Sequence, residues 1–522
     1  MADGYARVTN KPQCVIVHVD VGTQGLGAAV HDASCGRAPV LIFAGLSPFT
    51  IEGEMTGSRT EYIHWIQDVP DQRAIVAQYC RYTAEIKTGK NVKQMVNRAL
   101  QFATSDPKGP VYLVGAREVM EEELNPYQLK QADWSPVAPT ALPEAGVADI
   151  SKALVEAEEP LVVTGYVGRT HAAVEELVKL ANTVKGLRVL DTGGSDMCFP
   201  ADHRGWLGLR YGADDSIRSA DVILVLDCDV PWVNTQCRPK SDAKIIHIDV
   251  DPMKNQIPVF YLAAGSRYRA DGTTALRQLN RHLTTDKSLS ERTASSDFTK
   301  RWDMLGLSHS NRLKTVAGLA KPEEDGSFGI SYLTSTVRKA VPPDTIFAVE
   351  AVTSTGFVAD QIQATLPGSW LNCGGGGLGW SGGAALGIKM ATEKEGGKKF
   401  VCQIVGDGTF LFSVPGSVYW ISQRYKIPIL TVILNNKGWN APRRSALLVH
   451  PDGYASKATN EELNISFAPS PDYSGIAKAA AGGNLWAGRA KTVAELQQMI
   501  PEAVKAVKGG TSAVIDAYVT GP

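Results

Sequence analysis

The sequence predicts an α/β protein of three doubly wound parallel-sheet domains. Three observations carry that expectation. Short β-branched runs recur along the chain, including CVIVHV, APVLIFAG, GPVYLVG, PLVVTG, DVILVLD, AKIIHIDV, KFVCQIV and PILTVIL. They read as apolar on both faces, as buried parallel strands do. Helical periodicity lies between them, as in VKQMVNRALQFAT and VEELVKLANTV, and such alternation implies doubly wound units. The length of 522 residues accommodates about three domains.

Two linkers divide the elements. Residues 120–145 are acidic and then Pro-rich, and residues 283–326 are charged and rich in Ser and Thr with no strand run. The expected units are therefore 1–125, 140–282 and 327–522. They do not repeat in sequence, but they share one kind of pattern.

Bulk chemistry narrows the function. The formal net charge is −1, which argues against a general nucleic-acid binder. The eight cysteines are scattered singly, from Cys14 to Cys402, with no CxxC pair and no zinc-like spacing to histidine. They read as reduced, small apolar residues of a cytoplasmic-type compartment. No stretch reaches transmembrane length without Gly or charge, so no membrane partner is expected. No signal-peptide pattern opens the chain. It opens instead on MADGYARVTNKP, which reads like the middle of a helix.

The chemistry concentrates in the last unit. KFVCQIVGDGTFLFS places Gly406-Asp407-Gly408 at the end of an apolar strand, with Thr409 next and a helix expected near Pro415. Glycines after a strand let backbone approach a phosphate closely. Aspartate repels phosphate, and a divalent cation between them resolves the conflict. A second apolar strand, PILTVIL, ends in Asn435-Asn436-Lys437-Gly438. Ligands of doubly wound sheets bind at the carboxyl ends of strands. These two ends offer a carboxylate, an amide oxygen and a free carbonyl, which suit magnesium better than zinc.

A second stretch lies upstream. Glu350-Ala-Val-Thr-Ser-Thr follows the strand TIFAV, and GSWLNCGGGGLGWSGGAALGIKMA comes soon after. The four glycines 374–377 suit backbone lying against a flat ligand or a phosphate rather than core packing.

The GDG–spacer–NN pattern resembles the cofactor-binding motif of the thiamine-diphosphate-dependent enzymes. The four-glycine segment is similar to the benzoylformate decarboxylase and acetolactate synthase branch. The resemblance implies a pyrimidine-binding, a central and a diphosphate-binding domain, with thiamine diphosphate and Mg2+ as cofactors. It implies that Asp407, the Asn436 side chain and the Gly438 carbonyl hold the metal. Gly406, Gly408 and Thr409 would lie at the diphosphate. Val352 and Thr353 match cofactor-contacting positions, Leu378 the residue that props the cofactor into a bent shape, and Gly376 a carbonyl facing the aminopyrimidine.

Residues 1–118 resemble the pyrimidine-binding domain. Family members carry a His-Glu pair shortly before the MADGYAR-like segment, and that glutamate activates the cofactor. The resemblance thus implies an N-terminally incomplete domain, or else a non-catalytic relative. His18 matches an active-site histidine of benzoylformate decarboxylase and is the expected catalytic proton shuttle. Asp20 and Gln24 stand near it as substrate-orienting neighbours. Where that family has a second histidine, this chain offers Asn234, whose amide cannot donate a proton as imidazolium does. In Trp439–Ser445, expected as a loop, Arg443 or Arg444 would grip a substrate carboxylate. The central domain shows no FAD fingerprint, since GYVGRT is too short, and His247 reads as structural.

The resemblance implies decarboxylation of a 2-oxo acid, with acetolactate-synthase-like carboligation as the alternative. It also implies a homodimer or homotetramer, because the family's cofactor lies between two chains.

Overall fold

The computed structural model describes residues 1–394 and 398–521. Its strands form three separate sheets, and every pairing is parallel. The first sheet holds β1 (Gln13–Val17), β2 (Val40–Leu46), β3 (Tyr82–Ile86) and β4 (Val111–Ala116), in the order β1-β2-β4-β3. The second holds β5 (Pro160–Thr164), β6 (Arg188–Asp191), β7 (Trp206–Leu209), β8 (Val222–Leu226), β9 (Lys244–Asp249) and β10 (Ser266–Arg269). Their order is β10-β9-β8-β5-β6-β7.

The third sheet contains β11 (Ile346–Glu350), β12 (Trp370–Asn372), β13 (Val401–Gly406), β14 (Leu430–Asn435), β15 (Trp486–Ala490) and β16 (Ala513–Tyr518). The order is β12-β11-β13-β14-β16-β15. Strand order reverses between β11 and β13, which makes their carboxyl ends the natural ligand crevice. Apolar residues on both faces of β13 and β14 are buried, because helices cover the sheet on either side.

The expected helices form at Val92–Thr104 and His171–Thr183, and MADGYAR lies in the helix Ala2–Thr9. That first helix packs on the helix Trp380–Lys394, joining the first and third units. The second linker is largely helical, with Lys287–Thr293 and the long helix Ser296–Leu319. CVIVHV departs from the expectation of burial on both faces. β1 is an edge strand whose residues alternate between partly covered and exposed, and Ile16 is 74% exposed. All eight cysteines are free. Among the described residues, no helix is long and apolar enough to cross a membrane.

Candidate cofactor site

Three strand ends meet at the crevice. From β13 the chain turns at once into the short helix Asp407–Phe412, earlier than the helix expected near Pro415, which follows as Pro415–Tyr425. Asp407 is buried, and its carboxylate accepts from three backbone amides: Gly408 at 2.8 Å, Lys437 at 2.8 Å and Gly438 at 3.2 Å. It therefore ties the end of β13 to the loop after β14. Burial pushes its carboxyl up to about 6.

The two adjacent asparagines have different tasks. Asn435 is fully buried, and its amide donates to Asp516 at 2.8 Å, locking β14 to β16. Asn436 lines the cavity, with its side-chain oxygen 3.3 Å from the Gly438 amide. Only Asn436 is thus available to a ligand. Lys437, between Asn436 and Gly438, makes the bend with a left-handed φ of 65°.

A cavity of about 220 Å3 opens here. Val352, Thr353, Leu378, Gly406, Asp407, Gly408, Thr409, Asn436 and Gly438 all line it. The fold thus brings together nine positions that the sequence singled out separately. Ala351, Ser354, Leu434 and the run Trp439, Asn440, Ala441 and Pro442 complete the wall, and sequence reasoning assigned none of them to the cofactor. Trp439 stacks edge-on with Phe412 and Phe467, at 5.9 and 5.0 Å between ring centres. Val352 holds a left-handed φ of 46°, a conformation that costs a β-branched residue on the order of 1–3 kcal/mol.

The residues present fit a magnesium–diphosphate group. One carboxylate, one amide oxygen and backbone carbonyls form a hard oxygen donor set, and the apolar walls of Leu378, Val352 and Trp439 suit ring systems. Among the described residues, no group of three or more His, Cys, Asp or Glu is placed to hold a metal. That rules against a zinc-type cluster but not against this set, which has a single carboxylate.

Glu350, named from the sequence only by its place after a strand, has a role that the sequence did not reveal. It ends β11, is almost fully buried, and accepts from the amides of Gly379 (2.9 Å), Trp380 (3.3 Å) and Ser381 (2.7 Å). It thereby fixes the start of the helix Trp380–Lys394 against the strand end.

The glycine run requires a correction. Glycines 374, 375 and 377 pack on protein. A Cβ on Gly374 would stand 2.2 Å from the Gly36 amide nitrogen, and one on Gly377 would stand 2.7 Å from the Ala28 carbonyl. Close packing against the helix Gly27–Cys35 therefore demands these glycines. Gly376 alone faces open space.

The remaining positions lie outside the cavity. His18 is exposed and begins the helix Val19–Gln24, beside Val19 with its left-handed φ of 38°. Gln24 is exposed and donates to the buried Asp20 carboxylate at 3.2 Å. Asn234 is exposed in the loop after β8. Trp439–Ser445 is not a loop, because the helix Asn440–Val449 occupies it. Within that helix Arg443 donates to the carbonyls of Ala455 (2.6 Å) and Ala458 (2.8 Å) and to Asn460 (2.9 Å), so its guanidinium is engaged with protein. Arg444 is exposed. His247 is fully buried in β9, and burial pushes its imidazole down to about 4.

The corresponding crevice of the central sheet, between β5 and β8, is filled by the chain itself. Arg37 lies over the Tyr166 ring at 3.9 Å and pairs with Asp229 at 2.9 Å and Asp227 at 3.4 Å. Lys254 pairs with Asp229 and Asp249 at 2.8 and 2.5 Å. A flavin or nucleotide there would have to displace this network.

Parallel α/β sheets with a hard-oxygen, phosphate-suited crevice at a switch point define a class of cofactor-dependent enzymes. Three family models then match this chain. "Thiamine pyrophosphate enzyme, N-terminal TPP binding domain" covers residues 1–75, the central domain 147–259, and the C-terminal TPP binding domain 351–517. The chain belongs to the thiamine pyrophosphate enzyme family. The acetolactate synthase isozyme 3 large subunit of Escherichia coli (strain K12) is 22% identical, over 100% of this chain and 86% of that protein. The thiamine diphosphate-dependent 4-hydroxybenzoylformate decarboxylase of Rhodococcus jostii RHA1 superposes with a TM-score of 0.75 at 20% identity, covering 100% of this chain and 89% of that one. Benzoylformate decarboxylase from Polynucleobacter necessarius gives a TM-score of 0.78 at 17% identity, covering 99% and 89%. At these identities the structural likeness establishes the fold.

Proposed function

We propose that this chain binds thiamine diphosphate with Mg2+ and decarboxylates a 2-oxo acid. The carrying observation is the single cavity lined by nine cofactor and metal positions from three strand ends. Asp407, Asn436 and the Gly438 carbonyl would hold the metal, and Gly406, Gly408 and Thr409 the diphosphate. Val352, Thr353, Gly376 and Leu378 would face the rings. When bound, thiamine diphosphate supplies the electron sink for loss of carbon dioxide. The chain's own part is to orient and to exclude water, through Leu378 and Trp439. His18, exposed just after β1, would pass a proton between its own imidazole nitrogen and the reacting substrate. The activating acid is not assigned to any residue of this chain.

The segments 1–125, 140–282 and 327–522 are proposed as its pyrimidine, central and diphosphate domains. A second copy would bring His18 to the cavity. Large apolar side chains exposed on both terminal units, among them Tyr62, Ile66, Phe412 and Val449, support such a dimer.

Carboligation to a 2-hydroxy ketone or acid is the second reading, favoured by the acetolactate synthase relatives and by Asn234 in place of a histidine. Incubation with benzoylformate and with pyruvate, followed by product analysis, separates the two. Aldehyde release that drops roughly 100-fold in His18→Ala supports decarboxylation. Accumulation of a hydroxy ketone or acid with no aldehyde overturns it in favour of carboligation.

A further inference from the structure

The helix Gly27–Cys35 and the loop 374–379 come from the first and third units of the chain, yet they share a polar seam. The Gly376 amide donates to His31 Nε2 at 3.0 Å, and the Gly377 amide donates to Asp32 Oδ1 at 3.1 Å. On the next residue, Leu378 lines the cavity. On the residue after that, Gly379 donates to Glu350 at 2.9 Å. Leu378 is therefore held from both sides, by Glu350 from its own sheet and by the His31–Asp32 pair from the first unit.

The packing leaves this loop no slack. A Cβ on Gly375 would meet His31 Nε2 at 2.5 Å, and one on Gly377 would lie 3.0 Å from Asp32 Oδ2. The Gly36 amide donates to the Asp32 carbonyl at 2.7 Å, so the end of the helix is itself fixed. The helix follows directly on Val19–Gln24, which begins at His18. His31 accepts at Nε2, which places its proton on Nδ1, 3.8 Å from the Cys35 sulfur. Neither side chain lines the cavity.

We propose that His31 and Asp32 are positioning residues. Through the amides of Gly376 and Gly377 they set the height of Leu378 in the cavity, and so the affinity for thiamine diphosphate. This rests on the cofactor reading above. Burial, with the nearby Glu350 charge as second cause, keeps Asp32 protonated into the neutral range, consistent with a contact built for geometry rather than charge.

The test uses the full chain without cofactor and then with it. In the unloaded protein, hydrogen–deuterium exchange over 374–381 should rise in Asp32→Ala and in His31→Ala and stay low in Asp32→Asn, which keeps an acceptor. In calorimetric titration with thiamine diphosphate and Mg2+, the alanine variants should bind roughly tenfold more weakly, again with rescue by Asp32→Asn. Unchanged exchange and unchanged affinity in alanine variants that unfold at the same temperature as the parent would overturn the proposal. If Asp32→Ala does not fold, His31→Ala decides alone. Failure of the unsubstituted chain to bind marks instead the failure of the cofactor reading, and the proposed effect on affinity falls with it.

Discussion

Asp407 and Asp32 are both buried carboxyls, and their different neighbours give them different uses. Asp407 gathers three amides from two strand ends and faces the cavity. Asp32 accepts from the glycine loop, near the like charges of Glu350 and Asp3. Burial pushes Asp32 up to about 8, while an unfolded aspartate titrates near 4, at roughly 3.9. The folded chain therefore holds more protons in that window. The stability contributed by this group is complete below about pH 4 and is lost as the pH rises through about 8. Asp32→Asn removes the titration, so its thermal unfolding midpoint should fall less than the parent's between about pH 5 and 8. Parallel curves for the two proteins would show that Asp32 is already ionised in the folded chain. At this scale the sequence was informative where chemistry is local. Asp407, Asn436 and Gly438 announce themselves at strand ends. The pairing of Gly376 with His31 spans 345 positions, and no local pattern signals it.

At the scale of elements, Glu350 joins β11 to the helix Trp380–Lys394 by satisfying amides that the helix's own first turn cannot. Glu350→Ala would leave buried donors unpaired, and chemical denaturation followed by tryptophan fluorescence should register a loss of about 3 kcal/mol. A loss below about 0.5 kcal/mol would mean that water replaces the carboxylate. The strands that the sequence displayed as apolar runs lie mostly in the sheet interiors, such as β8, β13 and β14. Those it did not display include β3, β7, β10, β12 and β15, all at sheet edges, and the interior strands β6 and β16. An edge strand is covered on fewer sides, so its residues need not be apolar; Ser266–Arg269 alternates half-buried with exposed. The glycine run was misjudged for a related reason. Glycine admits backbone to any close neighbour, and for Gly374, Gly375 and Gly377 that neighbour is the helix Gly27–Cys35 with the Gly36 that follows it.

For the whole molecule, the account requires two chains. His18 is exposed, does not line the cavity, and directly follows the edge strand β1, on which Ile16 is exposed. Sedimentation velocity should return a dimer or larger, and Ile66→Glu together with Val449→Glu should shift it toward monomer. A parent chain that sediments as a monomer at micromolar concentration would contradict the shared site. The parallel-sheet class was legible because alternation of strand and helix is a long, repeated signal. The surface proposed for a second chain was not, because exposed apolar residues are unmarked until the fold separates surface from core.

The most direct measurement is calorimetric titration of the chain with thiamine diphosphate, with and without magnesium, alongside Asp407→Ala. The account predicts saturable binding that requires magnesium and disappears in the variant. Binding of equal strength in Asp407→Ala, or binding indifferent to magnesium, would contradict the assignment of the cavity between β11, β13 and β14 as the metal and diphosphate site.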